Sequence, residues 1–282
     1  YVKHEVVHNR FVVKDLESRG AIFIEEIKEI PDDSIVIFSA HGVSKKVETE
    51  TNIRGLQFHD ATCPLVTKVH MEVIKHARAE RDIILIGHEG HPEVEGTMGR
   101  HIKSKNSKIY LVQDEKDAKS IKVNQPDNLA LVTQTTLSVD DTKAIIIELR
   151  KRFPNLITPK NDDICYATQN RQDAVKQLAL ENEFMIVVGS KNSSNSNRLK
   201  ELSDRCGCEA VLIDEFNDLD LKKIKDIKKI AITAGASAPE NRVQEIAESI
   251  QIVTGGTISE VGKDEENIVF KMPPELRREK VQ

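Results

Sequence analysis

Residues 63–91, CPLVTKVHMEVIKHARAERDIILIGHEGH, and residues 165–193, CYATQNRQDAVKQLALENEFMIVVGSKNS, read as one unit written twice. Each opens on a cysteine and runs through an amphipathic helical stretch, at 65–81 and 167–183. Each then enters a short apolar run and ends at a glycine followed by a polar turn. Cys63 to Gly87 is 24 residues, and Cys165 to Gly189 is also 24. A helical period feeding a continuous apolar run of about five residues describes a strand buried on both faces, as in a parallel sheet covered by helices.

Working outward, the two units share tails. A second strand pattern ends in a small polar turn at 132–141 (VTQTTLSVDD) and at 232–241 (ITAGASAPEN). The start of the chain carries the same tail pieces, YVKHEVVHNRF at 1–11 and IFSAHGVS at 37–44. Setting Lys3 in the place of Gly87 and Gly189 puts the first unit's own cysteine upstream of Tyr1, and a segment there is expected to supply a third thiolate. Strands are expected at 21–25, 35–39, 83–87, 109–112, 129–133, 185–189, 210–213 and 230–233, and residues 1–8 also read as strand. Helices are expected at 10–19, 65–81, 139–152, 167–183, 196–205 and 239–252. The fold class is therefore α/β, with three pseudo-repeated domains: 1–62 (the first, N-terminally incomplete), 63–162, 163–253, and a tail at 254–282.

Composition narrows the function. With 282 residues, 39% hydrophobic and 31% charged, the chain has room for two domains or three small ones. A net charge of −5 and no basic stripe argue against a nucleic-acid platform. No apolar run approaches the roughly 20 residues of a membrane span. Four cysteines without a CxxC pair, in a charged chain, suit a reduced, cytoplasmic enzyme. Cys63 and Cys165 each follow an acidic residue three positions back and each starts a helix. There the helix dipole favours thiolate, and so metal ligation. Cys206 and Cys208 flank Gly207 at a helix end and read as structural. His59, His70, His76 and His101 also read as structural, and 219–230 reads as a solvated lysine face.

Ligands of open α/β sheets sit beyond the carboxyl ends of the strands. The residues there are His8 and His41, then His91, Glu93 and Thr135, then Ser193, Ser194, Asn195 and Ser237. Counted from the repeat glycines, His91 is equivalent to Ser193 and Glu93 to Asn195, which implies one cavity lined from three sides. Histidines, hydroxyls and helix-start N–H groups make a cradle for phosphate oxygens. Glu93 is the one carboxylate among them, a proton donor if burial raises its pKa, with Thr135 placed to relay or orient that proton. Read singly, Ser193, Ser194 and Asn195 also serve as helix caps, as does Ser237 ahead of Pro239.

The motifs SAHGVS (39–44), DATCPLVTKVH (60–70), GHPEVEGTMG (90–99), TQTTLSVDDT (133–142), DDICYATQNRQ (162–172), GSKNSSNSNRL (189–199), TAGASAP (233–239) and ENIVF (266–270) occur in this order. Together they closely resemble the 4-hydroxy-3-methylbut-2-enyl diphosphate reductases, the LytB/IspH family, from Tyr1 to about residue 276. The chain departs from that pattern in lacking the family's GFCAGV-like segment with the first cluster cysteine. The resemblance implies a trefoil of α/β domains around a central [4Fe–4S] cluster held by three cysteines, of which Cys63 and Cys165 are here. It implies an allylic diphosphate held by His8, His41, His91, Ser193, Ser194, Asn195 and Ser237, with Glu93 as proton source and Thr135 beside the substrate hydroxyl. It implies reductive dehydroxylation to isopentenyl and dimethylallyl diphosphate. The electrons would come from a ferredoxin or flavodoxin, since no GxGxxG motif marks a nucleotide site. Two other readings remain on the residues: a zinc hydrolase using His88, His91 and Glu93, and a diphosphate-binding fragment without activity.

Overall fold

The computed structural model describes residues 1–102, 106–159, 163–262 and 268–270. Its strands form three separate parallel sheets. The first joins β1 (Val2–Lys3), β2 (Phe23–Ile24), β3 (Ile35–Phe38) and β4 (Gln57–Asp60) in the order β2-β1-β3-β4. The second joins β5 (Asp82–Ile86), β6 (Ile109–Val112) and β7 (Leu129–Thr133) in the order β6-β5-β7. The third joins β8 (Phe184–Val188), β9 (Glu209–Ile213) and β10 (Ile230–Ala234) in the order β10-β8-β9. The helices are α1 (Arg10–Ser18), α2 (Lys45–Ile53), α3 (Pro64–Arg78), α4 (Pro92–Met98), α5 (Glu115–Ser120), α6 (Val139–Arg152), α7 (Tyr166–Glu181), α8 (Ser194–Arg205) and α9 (Glu240–Thr254).

Among the described residues, side-chain alternation on the central strands of the second and third sheets feeds two cores each, while the first sheet has one. Ile84 and Ile86 point into one cluster with Leu149 of α6, while Ile83 and Leu85 point into another with Val69 and Val73 of α3. In the third sheet, Met185 and Val187 pack on α7 and α8, and Phe184, Ile186 and Val188 pack toward Ile246 and Ile250 of α9. Every residue of β5, β7 and β8 is buried, which is why these segments read as unbroken apolar runs. Burial of Ile84, Leu85 and Ile86 contributes roughly 5–9 kcal/mol of transfer free energy.

Strand pairing sets the repeat register. Lys3 pairs with Phe38, Ile86 with Thr133, and Val188 with Ala234. The position of Gly87 and Gly189 thus falls on His4, not Lys3. The three backbone N–H groups make the same bond, His4 to the Ile24 carbonyl, Gly87 to Val112 and Gly189 to Ile213. His4 has a left-handed backbone, φ 62°, which ends β1 after two residues where a strand through residue 8 was expected. The second expected strand, 21–25, contracts to Phe23–Ile24. Among the described residues, one strand and three α-helices are additional to the expectation. β4 alternates weakly and is partly exposed, α2 is polar almost throughout, α4 is seven residues long and contains Gly96, and α5 has six residues. His59 lies on β4, and Leu219 and Ile224 are buried within the lysine-rich stretch before β10.

Candidate functional site

The carboxyl ends of the three sheets face one cavity of about 230 Å³. It brings together every residue expected there: His8 and His41 from the first unit, Cys63, His91, Glu93 and Thr135 from the second, and Cys165, Ser193, Ser194, Asn195 and Ser237 from the third. Ala40, Leu65, Val66, Ala167, Ala236 and Phe270 supply an apolar wall.

Local sequence places each group. Pro92 occupies the first turn of α4, where its missing N–H is no loss, and His91 caps that turn by accepting the Glu93 N–H on Nδ1 at 3.1 Å. The remaining proton of neutral His91 therefore sits on Nε2. The rings of His8 and His41 lie 4.3 Å apart, and His91 stands edge-on to them at 5.4 and 5.7 Å. Burial, then the neighbouring imidazoles, push His41 down to about 3 and His91 down to about 4. These rings are neutral donors until an anion arrives to favour their charged forms.

Glu93 is 2% exposed. Its Oε1 accepts the Thr135 N–H at 2.6 Å and its Oε2 accepts the Thr135 hydroxyl at 3.0 Å. Burial outweighs these two bonds and pushes the carboxyl up to about 7, with the Asp163 charge adding to the rise. Glu93 is thus poised to hold and release a proton near neutrality.

On α8, Ser193 is the N-cap and accepts the Ser196 N–H at 3.3 Å, so the helix starts two residues before the expected 196. Ser194 donates its hydroxyl to the Thr136 carbonyl at 3.3 Å, and Ser237 donates to the His8 carbonyl at 3.1 Å. Rotation of either hydroxyl offers its hydrogen to a ligand instead. Asn195 is 4% exposed and both its Nδ2 and Oδ1 lack a partner, as does His8 Nε2. Orphaned buried polar atoms cost about 1–3 kcal/mol each, so their gathering on one cavity wall points to a polar ligand that satisfies them.

The two cysteines are seated alike. Cys63 N–H donates to the Ala40 carbonyl at 3.0 Å and Cys165 N–H donates to the Thr135 carbonyl at 2.9 Å. Each is the N-cap of its helix, α3 and α7, and both thiols are free. Cys165 Sγ accepts the Thr168 N–H at 3.3 Å. Burial pushes its thiol up, with the nearby charges of Cys63 and Glu93 acting in the same direction. Cys206 is exposed, and Cys208 is buried in the third-unit core. Two free thiols on a largely apolar wall suit two corners of a soft-metal cluster. Among the described residues, no third cysteine lines the cavity.

The zinc arrangement of His88, His91 and Glu93 does not assemble. Thr135 holds both Glu93 oxygens, the Glu93 N–H occupies His91 Nδ1, and the cleft that His88 and His91 line together does not include Glu93. Among the described residues, no three histidine, cysteine or acidic side chains are grouped to hold a metal ion.

Thr136 also lines the cavity and was not anticipated. It lies three residues after Thr133, as His41 follows Phe38 and Ser237 follows Ala234, so it is their counterpart in the second unit. Aligning the three tails would have found it. Its Oγ1 accepts from Gln134 Nε2 at 3.1 Å, leaving its own hydrogen to donate.

Three parallel α/β units whose strand ends close on a single pocket, with a buried acid, a histidine trio and two cysteines, define a class of cysteine-bearing, three-lobed α/β proteins. A model of the LytB protein family matches residues 1–251, and the chain belongs to that family. A 4-hydroxy-3-methylbut-2-enyl diphosphate reductase of Alcanivorax borkumensis is 60% identical over 277 residues, 98% of this chain and 89% of that protein. One from Ectopseudomonas mendocina is 59% identical over 277 residues, 98% of this chain and 88% of that protein. The solved structure of E-1-hydroxy-2-methyl-but-2-enyl-4-diphosphate reductase from Plasmodium falciparum superposes with a TM-score of 0.85 at 41% identity, covering 89% of this chain and 78% of that one. A structure of (E)-4-hydroxy-3-methyl-but-2-enyl diphosphate reductase, described as the terminal enzyme of the non-mevalonate pathway, gives a TM-score of 0.61 at 30% identity, covering 89% and 88%. Among the described residues, no helix is long and apolar enough to cross a membrane.

Proposed function

We propose that this chain is a cytoplasmic reductase that removes the allylic hydroxyl of (E)-4-hydroxy-3-methylbut-2-enyl diphosphate. Two electrons and two protons convert the alcohol to isopentenyl or dimethylallyl diphosphate and water. The observation that carries the reading is the placing of Glu93, locked on Thr135 and held near neutral pKa, in the same cavity as the orphaned Asn195 and His8 atoms and both cysteines. His8, His41, His91, Asn195, Ser193, Ser194 and Ser237 hold the diphosphate, which fixes where the hydroxyl lies. Glu93 donates a proton to the departing oxygen, and Thr135 orients it.

Cys63 and Cys165 would hold a [4Fe–4S] cluster, with the third ligand expected ahead of Tyr1. When bound, the cluster supplies single electrons and a Lewis-acid iron. The apolar wall of Leu65, Val66, Ala236 and Phe270 keeps water from the reacting centre. A ferredoxin or flavodoxin delivers the electrons. The test is anaerobic reconstitution of the protein with iron and sulfide, then turnover with a reduced viologen dye. Formation of the two five-carbon diphosphates is expected. A colourless protein that forms neither product would overturn this reading.

A further inference from the structure

Asp163 carries a fully buried carboxylate that does not line the cavity, and its charge reaches the proposed chemistry only by adding to the rise at Glu93. Its Oδ1 accepts from Lys68 Nζ at 3.1 Å, and its Oδ2 accepts from the Thr133 N–H at 3.1 Å. The two partners belong to two elements, and all three residues lie a few positions from a site group. Lys68 stands in α3, whose N-cap is Cys63, while Thr133 ends β7 just ahead of Thr135. Asp163 itself immediately precedes the Ile164–Cys165 step into α7. One carboxylate thus meets the elements that carry both thiols and the partner of Glu93.

The corresponding joint between the first and second units is built differently. Ala61 takes the place of Asp163, and its backbone N–H donates to the Phe38 carbonyl at 3.2 Å. The ion pair is therefore particular to the joint beside Glu93. Taking two charges out of water usually cancels most of their attraction, so apolar packing would serve stability equally well. A paired, hydrogen-bonded carboxylate supplies fixed distance and direction instead.

We propose that the Lys68–Asp163 pair is a positioning strut that sets the separation of the Cys63 and Cys165 thiols. Its purpose rests on the reading of those thiols as cluster ligands, but its geometry is testable without metal. In a Cys206→Ser background, which removes the exposed thiol, the metal-free full chain is treated with dibromobimane, which fluoresces on bridging two thiols. Monobromobimane gives the rate at which the same thiols are labelled singly, and peptide mapping confirms the bridged pair.

Lys68→Met is expected to lower the bridging rate at least tenfold relative to single labelling, and Lys68→Arg to restore it within twofold. Lys68 is partly exposed, so its variants test the strut without emptying a core position. A Lys68→Met protein that melts earlier yet keeps the parent ratio of bridging to single labelling overturns the proposal. So does a parent protein that does not bridge. Failure of the parent to take up iron would overturn the cluster reading and leave the bridging result standing.

Discussion

Replacing Glu93 with glutamine keeps the shape of the side chain and removes its charge, and the consequence is calculable. Burial lifts the carboxyl from an ordinary 4.5 to about 7. A shift of roughly 2.5 units corresponds to about 3 kcal/mol. Between pH 4.5 and 7, the unfolded chain has lost this proton while the folded chain still holds it. The native state then binds more protons, so the contribution of Glu93 to stability falls as pH rises and levels off above 7. His41 and His91 work the other way. Their folded pKa values lie below the ordinary 6.5, so the unfolded chain takes up protons first and stability is lost as pH falls below 6.5. The parent protein alone would mix these trends, and the difference between Glu93→Gln and parent separates them. Glutamine can accept the Thr135 N–H and donate to its hydroxyl, so both contacts to Thr135 are kept. Urea unfolding of the metal-free proteins at half-unit steps from pH 4.5 to 8 should show the variant gaining about 3 kcal/mol on the parent, all of it below pH 7. A pH-independent difference would mean that Glu93 is ionised throughout, and its role as proton donor would go with it. In the reconstituted enzyme the same variant should bind substrate normally and lose turnover about 10²–10⁴-fold.

Inorganic diphosphate should draw protons into the site as it binds near pH 6, because an anion beside His41 and His91 raises pKa values that burial has depressed. Calorimetry in buffers of different ionisation enthalpy measures the uptake, and zero uptake would mean the rings stay neutral donors. Asn195→Ala should not destabilise the protein, since its amide atoms lack partners and their removal relieves a burial cost, yet weaken diphosphate binding about tenfold or more. Titration calorimetry with a melting curve tests both halves, and unchanged affinity refutes the cradle. Cys165→Ser should abolish iron uptake while Cys206→Ser leaves it unchanged, by iron assay after reconstitution; the reverse pattern would relocate the metal.

What was legible in the sequence followed from local pattern. Residues 83–86 and 184–188 are apolar without interruption because they are buried on both sides, and equal spacing from Cys63 and Cys165 exposed the repeat. Position beyond the strand ends then picked out the cavity residues, and motif resemblance agreed on them; all of them line one cavity. β4 and α2 escaped because half-exposed strands and polar helices carry little periodicity. The first repeat was set one residue early because His4 stands where the other units have glycine. Nothing short of backbone pairing marks that substitution. The Lys68–Asp163 contact spans 95 residues of chain and has no sequence signature at all.

Cys63 and Cys165 each hang by their own N–H from the carbonyl of a strand-end residue in the preceding unit, Ala40 and Thr135. Neither of these two corners is complete within its own lobe; the neighbour that carries the carbonyl must dock first. On the proposed cluster reading, metal loading therefore follows assembly of the lobes, and an isolated lobe would present its thiol from an unanchored helix start. A split protein cut between lobes should regain its metal-binding capacity only on reassociation.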